Sequence, residues 1–248
     1  MWQPNREQII GSHMMKFIAF INSRFNLEIE EYPQLYQWSI DKVEDFWSSF
    51  WDFSQIIYHS PYHSVVDDIK KMPGANWFKG TSLNFAENLL RYKDNQIAIR
   101  FYREDGMKST LTYNELYNQV ACLATALKKL GITKGDRVCG FLPNIPEAVI
   151  AMLASASIGA IWSSCSPDFG IKGVLDRFKQ IEPKIIFTSD GYKYNGGIKD
   201  SLFKLRGILS DLPSIKLTVI IPFISNGDVS HISNSILWND FLDQEVTE

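Results

Sequence analysis

Apolar residues in the first quarter of the chain recur at helical spacing. Between Glu7 and Phe25, the positions Ile10, Met14, Phe17, Ile18 and Ile21 follow three- and four-residue steps, which predicts one amphipathic helix. The run Gly11-Ser12-His13-Met14 resembles a cloning remnant, but it lies inside that pattern and reads as native sequence. Tyr32-Pro33 predicts a helix end, Leu35, Trp38 and Ile40 a short turn, and Asp41 a cap for a second helix carrying Val43, Phe46, Trp47 and Phe50. The many aromatics of this stretch predict packing rather than a ligand cage. Pro73 to Phe78 is rich in turn residues, and a short helix is expected over Ser82 to Leu90.

From Gln96 the pattern changes. Ile97, Ile99 and Phe101 alternate with Ala98, Arg100 and Tyr102 as in a strand, and Asp105-Gly106 signals a hairpin turn back to Ser109–Leu111. Thr112 stands three residues before Glu115, the spacing of a capping box, and Leu116, Val120, Leu123, Leu127 and Leu130 continue as an apolar stripe that Gly131 ends. Strands are then expected at Arg137–Leu142, within Gly159–Cys165, at Lys184–Thr188 and at Leu217–Ile221. They alternate with helices from Pro146, from Ile171 and around Leu202–Leu209. Near-continuous apolar strands alternating with helices specify an α/β fold: a mostly parallel sheet with helices on both faces. The aromatic-rich, mainly helical extension over residues 1–95 precedes it, and residues 96–248 carry the alternating unit. Ligands of such sheets sit at the carboxyl ends of the strands, which puts the loop Ser166-Pro167-Asp168, after the apolar run from Gly159, where a site is expected.

Composition narrows the choice. With 248 residues, 45% of them hydrophobic, the chain can bury a substantial core, and a formal charge of −3 without a Lys/Arg block argues against nucleic acid or an anionic membrane as partner. Cys122, Cys139 and Cys165 lie far apart in mostly apolar surroundings, as small core residues in a reducing compartment would, and neither a signal segment nor a membrane span is evident, so a cytoplasmic location is expected. Candidate chemistry is sparse. His59 and His63 have the four-residue spacing of zinc ligands, but Pro61 between them spoils the helix that would align them, so no metal site is expected. Neither Gly-x-x-x-x-Gly-Lys-Ser/Thr nor Gly-x-Gly-x-x-Gly occurs, which counts against a dinucleotide-dependent oxidoreductase, and a Gly-x-Ser-x-Gly elbow is missing too. Asp168, just before a helix, reads as its cap.

Several runs occur in a fixed order: Trp77-Phe78, Leu83-Asn84-Phe85-Ala86-Glu87-Asn88-Leu89-Leu90, Leu111-Thr112-Tyr113-Asn114-Glu115-Leu116, Gly135-Asp136-Arg137-Val138, Leu142-Pro143-Asn144 with Pro146-Glu147, and Gly159-Ala160-Ile161. Together they resemble the amino-terminal part of acyl-CoA synthetases, the adenylate-forming ligases. The run Trp162 to Gly170, with Val174 to Phe178 and Asp190 to Gly196, is similar to the acetoacetyl-CoA synthetase branch rather than the acetyl one. The resemblance spans nearly the whole chain, from Trp2 onward.

It implies a reaction in which a carboxylic acid, here acetoacetate, attacks ATP with magnesium to give an acyl-adenylate and pyrophosphate, after which the thiol of coenzyme A displaces AMP. The family's phosphate loop, Ser/Thr-Gly-Ser/Thr-Thr-Gly-x-Pro-Lys, has no counterpart here, so the chain is expected to be an inactive amino-terminal fragment with no catalytic residue and no tightly bound cofactor. Phe241-Leu242-Asp243 falls where the family leads toward that loop. The resemblance further implies that Ser166, Pro167 and Asp168 lie beside the pantetheine arm of coenzyme A, and that Lys193 stands near an arginine position by its 3′-phosphate. A ligase for acetate, propionate or another short acid, and a non-catalytic module that binds coenzyme A or a partner, are the alternatives. A sheet cut between strands predicts self-association or a frayed carboxyl terminus.

Overall fold

The computed structural model describes residues 2–224, 229 and 231–242, and the chain divides into two compact units, Met1–Leu83 and Asn84–Glu248. The expected fraying of the carboxyl terminus falls on residues 243–248, outside the described residues, as does Asp243.

In the first unit the single helix expected over Glu7–Phe25 is two, α1 (Arg6–Ile10) and α2 (His13–Phe25). The Ser12 hydroxyl accepts a hydrogen bond from the Met15 amide at 3.2 Å and so starts a new helix, while Gly11 before it is a poor helix former. Pro33 opens α3 (Tyr32–Asp41) rather than ending a helix. In the first turn its missing N–H has no intrahelical partner to lose, and its fixed φ suits the helix. Asp41 closes α3 and accepts from Gln37, so α4 (Val43–Phe53) starts at Lys42 without a side-chain cap. The core gathers Phe17, Ile18, Ile21, Ile29 and Leu35, with Phe17 edge-on to Phe46 and Phe53 at ring-centroid distances of 5.7 and 5.2 Å. A short antiparallel pair, β1 (Ser64–Val66) with β2 (Trp77–Lys79), completes it; the helical pattern gave no sign of these strands.

The second unit begins with α5 (Phe85–Leu89), capped by Asn84, whose side-chain amide also donates to the carbonyls of Ala156 and Ser157 at 3.0 and 3.1 Å. The hairpin β3 (Ile97–Tyr102) and β4 (Lys108–Thr112) turns at Asp105-Gly106 as expected. Helix α6 (Tyr113–Lys129) starts with the anticipated capping box: Glu115 accepts from the Thr112 amide at 2.7 Å, the Thr112 hydroxyl accepts from the Glu115 amide at 3.2 Å, and Gly131 follows with φ of 82°. Then come β5 (Arg137–Phe141), α7 (Pro146–Ser157), β6 (Ile161–Cys165), α8 (Ile171–Ile181) and β7 (Ile185–Ser189). A second hairpin, β8 (Gly191–Tyr194) with β9 (Gly197–Asp200), precedes α9 (Leu202–Leu209), β10 (Leu217–Ile221), β11 (Ser235–Leu237) and α10 (Trp238–Phe241).

Among the described residues, five strands form one all-parallel sheet in the order β11-β10-β7-β5-β6. Successive strand residues serve opposite faces. Val138, Ile185, Phe187, Val219 and Ile221 pack with α6 and α7, whereas Cys139, Phe141, Ile186 and Ile220 pack with α8 and α9. Both faces are thus dry, which is why these strands read as continuous apolar runs. Each fully buried Phe, Ile or Leu contributes about 1.5–3 kcal/mol of transfer free energy. At the amino edge of the sheet Asp136 receives the Lys184 ammonium at 2.6 Å and the Thr133 amide at 2.9 Å, joining the starts of β5 and β7. These contacts hold its carboxyl down at about 2, with Lys184 the main cause. No helix among the described residues is long and apolar enough to cross a membrane.

Candidate functional site

Parallel strands bring their carboxyl ends to one edge, and there the turns after β6, β7 and β10 meet. The turn after β6 is Ser166-Pro167-Asp168. Pro167 is buried, and its carbonyl accepts from the Lys204 ammonium at 2.8 Å. Asp168 does not cap α8, whose first position is preceded by Gly170 with no side-chain cap. Its carboxylate is taken from another direction: the Tyr192 hydroxyl donates to it at 2.7 Å and the Ser166 hydroxyl at 3.1 Å. Tyr192 is only 8% exposed, and burial, reinforced by the adjacent Asp168 carboxylate, pushes its phenol up to about 12, so it remains a donor throughout the neutral range.

Tyr192 belongs to the hairpin β8–β9, which the sequence reading missed. Asn195 and Gly196 take φ of 50° and 72°, the paired left-handed conformation that a two-residue hairpin turn requires. Asn-Gly between Tyr194 and Ile198 was the available signal. Because β8 follows directly on β7, this hairpin brings Tyr192 to Asp168, whereas Lys193, next to it on the strand and so on its opposite face, turns to Asp105 and not to the turn after β6.

Lys193 is a half-buried, paired cation rather than a free surface charge. Its ammonium donates to Asp105 at 2.6 Å, across from the turn of the first hairpin. Asp105 is also gripped in two places by Arg103, at 2.8 Å from Nε and 2.7 Å from Nη2, while Arg103 Nη1 reaches the Phe223 carbonyl at 2.9 Å. The Arg103 bonds, followed by that from Lys193, hold the Asp105 carboxyl well below the usual carboxylate range. Glu104 accepts from the amides of Asn195 and Gly196 at 3.1 and 3.3 Å. Asp190, 3% exposed, accepts from the amides of Phe223 and Ile224 at 2.8 and 3.0 Å and so ties the segment after β10 to the same edge.

The chemistry on offer is a turn fixed by Tyr192 and Lys204 and, separately, the Lys193 ammonium paired with Asp105. The edge has little else to react with. Cys139 and Cys165 are buried, and desolvation raises both thiols, which keeps them protonated and inert. The sequence has no glycine-rich phosphate loop, and among the described residues no group of three or more His, Cys, Asp or Glu side chains is arranged to hold a cation.

Comparison with known proteins is consistent with this architecture. Residues 85–239 match the family described as AMP-binding enzyme, and residues 32–89 match the acetyl-coenzyme A synthetase N-terminus. The chain is 44% identical to the acetoacetyl-CoA synthetase of Macaca fascicularis over 254 residues, covering 100% of this chain and 38% of that protein. With the acetoacetyl-CoA synthetase of Gallus gallus it shares 46% identity over 248 residues, 98% of this chain and 37% of that one. The solved acetoacetyl-CoA synthetase from Streptomyces lividans superposes with a TM-score of 0.91 at 36% identity, over 100% of this chain and 38% of its own. The chain therefore spans under two-fifths of the length of the relatives it matches. Since the family match covers more than half of its residues and the fold superposes on that solved synthetase over its whole length, this chain belongs to the AMP-binding enzyme family.

Proposed function

We propose that this chain is the amino-terminal part of an acid–thiol ligase that joins acetoacetate to coenzyme A, with ATP going to AMP and pyrophosphate through an acyl-adenylate. Its share of the work is scaffold and one wall of the coenzyme A channel, formed by Ser166, Pro167, Asp168 and Lys193. The bond from Tyr192 to Asp168 carries this reading, because it unites two segments 24 residues apart at the carboxyl edge, where α/β sheets take their ligands. Identity of 44–46% to acetoacetyl-CoA synthetases along the whole chain supports acetoacetate as the acid. ATP and magnesium belong, in this reading, to parts of the enzyme that these residues do not supply.

Residues 1–95 then form the helical extension and 96–248 the first part of the large α/β domain. Free cysteines support a reducing, cytoplasmic setting. Self-association through the edge left where the sheet is cut between strands belongs to the same reading, since an unpaired edge is a template for pairing with another chain. The test is ATP–pyrophosphate exchange. Acetoacetate should drive it in the intact enzyme well above acetate or propionate, and the 248-residue chain alone should give none. Equal exchange with acetate would remove acetoacetate as the preferred acid. Exchange by the chain alone would overturn the division of labour.

A further inference from the structure

The turn between β3 and β4 makes more charged bonds than closing a hairpin requires. Arg103 grips Asp105 with two nitrogens, Asp105 receives Lys193 at 2.6 Å across 88 residues of sequence, and Glu104 receives two amides from the tip of the other hairpin. Two consecutive side chains, Glu104 and Asp105, thus hold the β8–β9 hairpin, and Arg103 braces Asp105 from behind. An ammonium has three N–H donors and no acceptor, and only one of those of Lys193 is directed at Asp105. Its side chain remains 30% exposed, which leaves the other two donors open to a ligand.

We propose that Asp105 is a positioning residue for coenzyme A: it fixes the Lys193 ammonium at the carboxyl edge so that the two remaining donors meet a phosphate of the thiol substrate. This rests on the reading of the edge as a wall of the coenzyme A channel. Lysine carries its charge on a flexible four-carbon stem, and a stem already held is a better phosphate binder than a free one. The opposite role, a carboxylate that competes with phosphate for the lysine, gives the opposite sign: removing Asp105 would then tighten binding.

The experiment compares coenzyme A with 3′-dephospho-coenzyme A as substrates of the intact enzyme, measuring KM and kcat for wild type, Lys193→Ala, Asp105→Ala and Asp105→Glu. Loss of one charge-assisted contact to phosphate should raise the KM for coenzyme A roughly tenfold in Lys193→Ala. Asp105→Ala should raise it about threefold to tenfold, with the effect on KM rather than kcat and none on the dephospho compound. Asp105→Glu should recover part of the loss. If Lys193→Ala loses discrimination between the two thiols while Asp105→Ala keeps or improves it, the positioning role is overturned and the channel reading stands. If Lys193→Ala keeps both the wild-type KM for coenzyme A and the wild-type discrimination, the positioning role is overturned and Lys193 drops out of the channel wall. Should Asp105→Ala fail to fold, Asp105→Asn keeps an acceptor without the charge, and a wild-type KM in that variant overturns the proposal.

Discussion

At Gly191 the second hairpin leaves no room for a side chain, and adding one methyl group there tests how the edge is built. A Cβ at this position would stand 2.5 Å from the Lys199 carbonyl oxygen, against the 3.4 Å at which ordinary contact begins, a shortfall of about 0.9 Å. The Ile224 side chain would lie closer still. A side chain can rotate away, but the carbonyl belongs to the strand that β8 pairs with, so the hairpin itself must shift. Overpacking of this kind costs about 1–3 kcal/mol. A movement of that size would also stretch the 2.7 Å bond from Tyr192 to Asp168 beyond hydrogen-bond range, adding about 1.5–3 kcal/mol for a bond to a charged acceptor. Gly191→Ala is therefore expected to lose about 2.5–6 kcal/mol in urea unfolding. Combining it with Ile224→Ala removes the side-chain clash and leaves the backbone one, so the double variant should be no more stable than the single. Wild-type stability in Gly191→Ala, or recovery in the double variant, would refute the reasoning.

Two further outcomes concern the body of the sheet. The Asp136 carboxyl is depressed from its ordinary 3.8 to about 2, so it stabilises the fold fully above pH about 4 and loses that contribution as pH falls through about 2. Asp136→Asn should cost about 1–2 kcal/mol at neutral pH and flatten this part of the acid limb of urea midpoint against pH; identical slopes in the two proteins would count against the Lys184 pairing. At Gly140 a Cβ would meet Cζ2 and Cη2 of Trp162 at 2.7 and 2.8 Å, so Gly140→Ala should cost about 1–3 kcal/mol. In a double-mutant cycle with Trp162→Leu the second change should absorb much of that cost, and simple additivity would show that the two do not touch.

The carboxylate at 168 illustrates how a residue's role depends on distant neighbours. Read along the chain, an aspartate before a helix is most simply a cap, and nothing nearby contradicts it. In the folded protein Gly170 takes the cap position before Ile171, and Asp168 instead anchors the phenol of Tyr192. A loop held in this way, with Pro167 buried and its carbonyl bonded to Lys204, presents a preformed surface rather than a mobile one.

The residues themselves determined most of the second unit's elements, because the forces that start and stop a helix act over three or four positions. Thr112 and Glu115 cap α6 by bonds wholly within that span, and the stripe from Leu116 to Leu127 marks its buried face. Continuous apolar strands foretold a sheet covered on both sides for an equally local reason: alternate residues face opposite ways, so both sets must be apolar. Where local signals competed, the reading failed, as at Ser12, whose hydroxyl opened a new helix within an unbroken apolar pattern. Only the tertiary structure decided the strand order β11-β10-β7-β5-β6 and the meeting of Lys193 with Asp105 and of Tyr192 with Asp168. Contacts between residues so far apart in sequence leave no periodic trace in it; they arise because parallel strands deliver their carboxyl ends to a single edge, where separate turns must satisfy one another's charges and hydrogen bonds.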